Sequence, residues 1–345
     1  MLHRRNFLAL PISLMCALPD GARALESKPE TPGLKVTIGG KTFVQYAPIT
    51  VAERLGYFKE AGLDLEILDV AGGAKALEAL IGGSADVTAG AFDHILQMQA
   101  KDQHIVGFVL FGRHPAFALA IRNDKAPMYH GPSSLRGMKV GVTALGSQTH
   151  FMVEYLAIKA GLEPSEVSFI SVGSGTNAVA AIRNGAIDAV VTGEPAITTL
   201  EAAGEVKIVA DARTNEGTTE IYGGLYPSGT VYARSSFIRE NPRTIQAFAL
   251  AMVRALKWMD LASIEEIADV LPPEWAKPGR NVLLASLRGT RDMPSPDGRF
   301  SLETAKIAYR VLSTVDPRMR NGKIDLVATF TNRFVDDAHA AIMRK

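Results

Sequence analysis

The sequence predicts an α/β protein made of two similar lobes, each built around a parallel sheet and joined to the other by two strands that form a hinge. Three observations lead to this fold class. A pattern of helix, strand, glycine turn and helix occurs twice, about a hundred residues apart. Short apolar, β-branched runs alternate with helical segments at the tight spacings of βαβ units. Two extended apolar runs, 117–122 and 230–234, lie on either side of the second copy. With 345 residues, 47% of them hydrophobic and 21% charged, the chain can form two cores of ordinary size.

The first 24 residues are predicted to be an export signal. Arg4 and Arg5 precede an apolar run over 7–18, and Ala22-Arg23-Ala24 matches the small-x-small cleavage pattern. The arginine pair also resembles twin-arginine signals, whose cargo crosses the membrane already folded; an ordinary signal with two arginines is the alternative. We therefore expect a periplasmic protein that begins near Leu25.

Cys16 is the only cysteine of the chain. Bulky Leu14 and Met15 precede it, where a lipoprotein signal has small residues, so a lipid anchor is disfavoured. Cleavage after Ala24 would leave no cysteine and would exclude disulfides, thiolate catalysis and cysteine metal sites. It would also remove three of the 37 basic and one of the 36 acidic residues, leaving 34 and 35, a balance that implies no nucleic-acid partner. No later apolar run approaches the roughly 18 residues of a membrane span.

The two copies of the repeat correspond segment by segment. Each has a helix that ends in Ala-Gly-Leu, a strand, a glycine-rich turn, a second helix and a short strand that ends at glycine. The segments are 61–63, 65–70, 71–73, 74–81 and Gly90 in the first copy, and 160–162, 167–172, 173–175, 177–183 and Gly193 in the second. Gly62 and Gly161 fit helix C-caps, where a positive φ is needed.

The two extended runs predict where the chain changes lobes. If the chain leaves lobe one near His114 and returns near Ser228, lobe two is an insertion held by two strands. We predict that lobe one comprises 31–115 and 229–345, with the C-terminal helices packed on it, and that lobe two comprises 116–228. A helix should begin at 241–243 after the return. Its apolar positions recur at helical spacing: Ile245, Phe248, Ala249, Met252 and Leu256.

Several segments carry a family resemblance. They are 47–49 followed by 51–63, then 135–142 and 184–189. Together, over about residues 34–260, they resemble the type II periplasmic binding proteins of the nitrate, aliphatic-sulfonate and taurine group. The resemblance implies two Rossmann-like lobes and a solute-binding component of an ABC importer, not an enzyme, which closes on a small organic, anionic ligand. The importer's membrane subunits would be its partners, and we expect a monomer without a cofactor.

Ligand-binding candidates lie in the loops that follow strands, because ligands of open α/β sheets sit beyond the carboxyl ends of the strands. The candidates are Gln45, Tyr46, Gly90, Asp93, His94, Ser147, Gln148, Thr149, Ser174, Thr176, Glu194 and Tyr226. The two tyrosines, with Phe92 and Tyr222, could form an apolar wall; core packing is the alternative for each.

The loop over 146–150 is the most informative of these. Gly146 lets the backbone approach a ligand, and Ser147 or Thr149 can cap the helix that follows, leaving amides free to hold an anion at the positive helix end. The resemblance implies contact with an acidic group of the ligand for Ser147, Gln148 and Thr149. A routine N-cap without a ligand is the alternative.

Two acidic candidates leave alternatives open. Asp93 and His94 match a polar pair that the family often has, although Asp93 could be only an N-cap. Glu194 stands where sulfonate-binding relatives often have aspartate, and a carboxylate facing the cleft would repel a simple inorganic anion. Glu194 therefore favours an organic ligand with a hydroxyl, amine or ring nitrogen, unless it turns outward and merely closes a contact between lobes.

Enzymatic alternatives are weaker. Residues 173–178 fit the dinucleotide fingerprint G-x-G-x-x-A, but the strand 139–142 precedes them, and an export signal argues against a nicotinamide cofactor. Enzymes of thiamine-pyrimidine synthesis share this fold and use clustered cysteines with a cofactor-bearing lysine, so the missing cysteines disfavour them. No serine stands in G-x-S-x-G, and no histidine pair at i, i+4 suggests a metal site.

Overall fold

The computed structural model describes residues 28–344. The predicted export signal, including Cys16 and the start at Leu25, lies outside the described residues. Ten strands form two sheets of five. The first sheet contains β1 (Gly33–Gly39), β2 (Asp64–Val70), β3 (Val87–Ala91), β4 (Ile105–Leu110) and β10 (Gly229–Arg234). The second contains β5 (Phe117–Arg122), β6 (Lys139–Val142), β7 (Ser168–Ser171), β8 (Ala189–Gly193) and β9 (Val206–Asp211).

The two sheets have the same topology. Their strand orders are β2-β1-β3-β10-β4 and β7-β6-β8-β5-β9. In each, the first three strands are parallel, and the fourth, β10 or β5, runs antiparallel to both of its neighbours. The predicted fold class, two similar α/β lobes, is thus confirmed.

The chain passes between the sheets twice, from β4 to β5 and from β9 back to β10. These passages form the two-strand hinge that the sequence predicts. We propose the same division of the chain, 31–115 with 229–345 for lobe one and 116–228 for lobe two.

Fifteen helices are assigned within the described residues. They are α1 (Ala47–Arg54), α2 (Tyr57–Glu60), α3 (Gly73–Ile81), α4 (Asp93–Gln99), α5 (Gln148–Lys159), α6 (Thr176–Arg183), α7 (Ala196–Ala202), α8 (Asn215–Tyr222), α9 (Ser235–Glu240), α10 (Pro242–Leu261), α11 (Ile264–Val270), α12 (Arg280–Gly289), α13 (Leu302–Val315), α14 (Pro317–Asn321) and α15 (Arg333–Met343). Across residues 28–344 none of them has the length and apolar character needed to cross a membrane.

The repeated Ala-Gly-Leu segments form the same helix ending in both lobes. Gly62 and Gly161 have φ values of +80° and +81°. In each copy the amide of the leucine donates to the carbonyl five residues earlier, and the amide of the glycine donates to the carbonyl three residues earlier. These are the paired hydrogen bonds of a Schellman motif. The predicted positive-φ caps are therefore confirmed.

The C-terminal helices pack on more than lobe one. Helix α10 buries its five predicted apolar positions and packs against α1, α2 and α15. However, α12 also contacts α7, and α13 contacts α5, both in lobe two. The C-terminal segment therefore connects the lobes on two flanks, which the sequence pattern did not predict.

Candidate functional site

Strands from both sheets end at a small cavity between the lobes. Six of the predicted residues line it: Gln45, Tyr46, His94, Ser147, Gln148 and Thr149. Its remaining walls are Gly39, Phe43, Gly73, Ala91, Phe117 and Thr143. About 20 Å³ is open to the centre of a water-sized sphere, enough for one or two water molecules. The lobes are therefore closed upon each other.

Four buried polar atoms around this cavity have no hydrogen-bond partner within residues 28–344. They are Gln45 Oε1, Asp93 Oδ2, His94 Nε2 and Gln148 Nε2. Each unpaired buried group costs roughly 1–3 kcal/mol, so four in one place are unfavourable unless another molecule satisfies them. Three of these four side chains line the cavity, Gln45 and His94 from lobe one and Gln148 from lobe two, and Asp93 lies beside them. This arrangement favours a ligand held between the lobes.

Asp93 is the first residue of α4 and follows Phe92, which occupies the N-cap position, so Asp93 is not the N-cap. The side chain is fully buried, and Oδ1 accepts a hydrogen bond from the Tyr226 hydroxyl. Burial raises the pKa of Asp93 to about 7, although the hydrogen bond from Tyr226 acts in the opposite direction. The carboxyl group is therefore partly protonated at neutral pH.

His94 is an uncharged donor. Burial lowers its pKa to about 4. Its Nδ1 lies 2.9 Å from the Tyr232 hydroxyl, whose burial keeps the pKa of that phenol well above its usual range. The buried Tyr232 hydroxyl needs an acceptor for its proton, and Nδ1 is the one beside it. The hydroxyl is therefore taken to donate to Nδ1, which assigns the ring hydrogen to Nε2. Gly73 leaves room for the ring, since a Cβ there would come within 2.9 Å of Cε1.

The loop before α5 differs from the predicted cap. Ser147 is the N-cap residue, but its side chain makes no capping hydrogen bond. Its Oγ accepts instead from the Ala74 amide of lobe one, at 3.0 Å. Thr149 Oγ1 accepts from the Thr143 amide at 3.1 Å. The expected capping was wrong because both hydroxyls have other donors nearby, and the first amides of α5 keep no acceptor inside the helix.

Ser228 joins the two glutamines of the site. Gln45 Nε2 donates to Ser228 Oγ at 3.0 Å, and Ser228 Oγ donates to Gln148 Oε1. Sequence reasoning placed Ser228 at the chain's return to lobe one but did not predict it as a site residue. Phe43 and Phe117, whose ring centroids are 6.0 Å apart, were also missed and form the apolar wall.

Glu194 does not face the cavity. Its carboxylate pairs with Arg213 at 2.7 Å and accepts from the Thr198 amide and the Ser286 hydroxyl, both at 3.0 Å. The outward alternative is the one observed. The repulsion of an inorganic anion, expected only for a carboxylate that faces the cleft, does not apply, because the Glu194 carboxylate pairs with Arg213 and does not line the cavity.

The remaining candidates surround the cavity without lining it. Ser174 and Thr176 face a separate groove together with Thr42 and Trp275. Gly90 lies behind the site, where a Cβ would come within 2.8 Å of the Tyr232 hydroxyl. Tyr226 stacks on Tyr222 with ring centroids 4.4 Å apart and contacts Asp93 rather than the cavity. It holds a site residue in place.

Comparison with solved structures shows the same architecture elsewhere. The structure of CAE31940 from Bordetella bronchiseptica RB50 is 40% identical, with a TM-score of 0.88 over 92% of this chain and 100% of that one. The periplasmic nitrate-binding protein NrtA from Synechocystis PCC 6803 is 17% identical, with a TM-score of 0.73 over 92% and 91% of the two chains. The fold is that of the type II periplasmic binding proteins.

The family follows from the sequence comparison. Residues 44–260 match the family model described as NMT1/THI5 like, which covers more than half of the chain. The chain belongs to this family. Among its relatives, YtlA of Bacillus subtilis (strain 168) is 24% identical over 245 residues, 70% of this chain and 71% of that protein. A 4-amino-5-hydroxymethyl-2-methylpyrimidine phosphate synthase of Aspergillus parasiticus is 25% identical over 241 residues, 66% and 67% of the two chains.

Proposed function

We propose that this protein is the extracytoplasmic solute-binding component of an ABC importer, which binds a small organic molecule between its lobes and closes on it. The observation that carries the proposal is the set of four unpartnered polar atoms, at and beside a cavity whose walls come from both lobes. The similarity to a periplasmic nitrate-binding protein supports the same role.

Closure is the physical basis of this function. Away from the hinge, hydrogen bonds that connect the lobes near the site run from Ala74 to Ser147, from Val44 to the Glu194 carbonyl, and from Ser286 to the Glu194 carboxylate. These bonds exist only when the lobes meet. A ligand that contacts both lobes stabilises the closed state by its differential affinity for that state, and the importer would recognise the closed form.

The lining favours a ligand held by hydrogen bonds rather than by ion pairs. No lysine or arginine is among the lining residues, and His94 is uncharged. The positive end of α5 and the donors His94 Nε2 and Gln148 Nε2 suit a group rich in acceptors. The expected anionic character of the ligand stays a prediction.

An enzyme of pyrimidine synthesis is the alternative that the Aspergillus relative raises. Such an enzyme would need a nucleophile or a cofactor anchor at the cavity. The lining consists of glycine, alanine, phenylalanine, tyrosine, threonine, serine, glutamine and histidine, without lysine or cysteine. These residues favour reversible binding.

The experiment that tests the function is identification of the molecule that co-purifies with the exported protein. The protein is purified without refolding and denatured, and released small molecules are identified by mass spectrometry. We expect one compound in near-stoichiometric amount, recovered unchanged after it is bound again. A Gln148→Leu variant that is exported and folded should carry much less. Equal amounts on both proteins, or recovery of a chemically modified compound, would contradict the proposal.

A further inference from the structure

Ser228 connects one glutamine of each lobe through a single hydroxyl group. It lies immediately before β10, at the end of the return passage, and it is fully buried. The hydroxyl accepts from Gln45 Nε2 at 3.0 Å and donates to Gln148 Oε1. One hinge residue thereby orients an amide from lobe one and an amide from lobe two.

These hydrogen bonds decide which amide atoms remain for a ligand. A glutamine amide has one oxygen that accepts and one nitrogen that donates. Gln45 uses its nitrogen on Ser228, so its oxygen remains; Gln148 uses its oxygen, so its nitrogen remains. Both remaining atoms, Gln45 Oε1 and Gln148 Nε2, are buried and lack a partner in the described part of the chain. The two glutamines therefore present one acceptor and one donor to the cavity, beside the donor of His94.

The pairing of one amide acceptor with one amide donor follows from the single proton of the Ser228 hydroxyl. If both amides turned over, Ser228 would donate to Gln45 and accept from Gln148, and the two glutamines would still present one acceptor and one donor to the cavity. If both glutamines presented their nitrogens to the cavity, both amide oxygens would face a hydroxyl with a single proton. If both presented their oxygens, neither glutamine could accept that buried proton, which is unfavourable.

We propose that Ser228 is a specificity-determining positioning residue, which makes the cavity select a ligand edge with a hydrogen-bond donor beside an acceptor, such as that of an amide or a lactam. The inference rests on the proposed function, because it concerns the solute that this cavity would hold. The absence of lysine and arginine among the lining residues agrees with an uncharged edge.

Three small probes of nearly the same shape test the inference: acetamide, acetate and acetamidinium. They offer a donor with an acceptor, two acceptors, and two donors, respectively. Binding to protein freed of its co-purified molecule is measured by NMR titration at millimolar concentrations. Acetamide should bind about tenfold more tightly than either ion, since the wrong polarity leaves a buried group unpaired.

Ser228→Ala should reduce this preference to less than about twofold, because neither glutamine is then held in one orientation. Thr230→Val is the matched control. Thr230 is a fully buried hydroxyl residue two positions further along the chain, and its Oγ1 bonds to neither glutamine. This variant should keep the order of the three probes.

Gln45→Glu tests the coupling through Ser228 directly. A carboxylate at this position takes the Ser228 proton, so Ser228 must accept from Gln148, whose nitrogen then leaves the cavity. The side-chain amide signal of Gln148 should respond to acetamide in the natural protein and lose most of this response in the variant. The preferred probe should change to acetamidinium.

The inference is overturned if acetate or acetamidinium binds best, if the three probes bind equally or not at all, or if Ser228→Ala keeps the preference for acetamide. None of these results bears on solute binding itself, which is judged by the co-purified molecule and its loss in the Gln148→Leu variant.

Discussion

At the scale of single residues, burial shifts the pKa values of Asp93 and His94 in opposite directions. It raises the pKa of Asp93 to about 7 and lowers the pKa of His94 to about 4. In the unfolded chain both groups return to their ordinary values. The closed site therefore contains a neutral imidazole and a partly protonated carboxyl group near neutral pH.

Asp93→Asn should stabilise the protein at high pH. Because the folded-state pKa of Asp93 is raised, its contribution to stability is complete below about pH 4 and is lost as the pH rises through about 7. Asparagine removes the ionisation and can still accept from Tyr226. We expect a gain of up to about 4 kcal/mol in the free energy of unfolding at pH 8, shrinking towards zero by pH 4, measured by urea titration.

Asp292→Asn is the control of opposite sign. Burial alone would raise the pKa of Asp292, but hydrogen bonds from His114 and the Asn215 amide lower it overall. Asp292 therefore stabilises the protein above its usual pKa, and its replacement should destabilise it at pH 8 and matter less at pH 3. If Asp93→Asn is also destabilising at pH 8, the raised pKa is wrong.

Ser147→Ala should weaken ligand binding more than it affects folding. The Ser147 hydroxyl bonds to the Ala74 amide of the other lobe, and that bond exists only in the closed form. We expect affinity for the co-purified molecule to fall by about 1 kcal/mol, measured by calorimetry, with the midpoint of unfolding nearly unchanged. Thr149→Val should behave in the reverse way, since Thr149 bonds within lobe two. Equal effects on folding from both variants would contradict this division.

At the scale of secondary-structure elements, two C-terminal helices hold the closed form from either flank. Helix α12 contacts α7, and Ser286 of α12 donates to Glu194 at 3.0 Å. Helix α13 contacts α5, and its Arg310 donates to the Tyr222 carbonyl. The C-terminal segment therefore influences closure without contacting the cavity.

Ser286→Ala should shift the unliganded protein towards the open form. The Ser286 hydroxyl has one proton, which the Glu194 carboxylate shares with the Val282 carbonyl of α12, so the variant loses the contact of this side chain with lobe two. X-ray scattering of the ligand-free protein should show a larger radius of gyration, and ligand affinity should fall a few-fold. Thr290→Val is the matched control, because the Thr290 hydroxyl at the end of α12 donates to the Ser286 carbonyl of that helix. An unchanged radius in Ser286→Ala would show that this contact does not hold the lobes.

The elements were predictable where the signal is local, and the site was predictable only in part. The duplicated helix ends and strands follow from glycine turns and apolar periodicity, which act within a few residues. The direction of Glu194 depends on Arg213, and the function of Ser228 depends on glutamines 80 and 183 residues away. Such pairings arise from tertiary packing and leave no local pattern in the sequence.

At the scale of the whole molecule, the proposed function requires two lobes that open to admit a ligand and close around it. The cavity between the closed lobes has room for one or two water molecules, so a larger molecule can enter or leave only if the lobes separate. Residues from both lobes would then hold it on closure. Exchange of the ligand and movement of the lobes are therefore the same event.

The measurement that tests this claim most directly is ligand exchange in an Ala74→Cys/Gly146→Cys variant. The Cβ of Ala74 and a Cβ built on Gly146, in the other lobe, lie 3.9 Å apart, which is within the range of about 3.5–4.5 Å found in disulfides. Cys16 is the only natural cysteine, and it precedes the predicted cleavage site. The single Gly146→Cys variant controls for strain at φ +82°. After oxidation with the ligand bound, we expect exchange with isotope-labelled ligand to stop and to resume on reduction; exchange at the same rate in the oxidised and reduced forms would contradict the account.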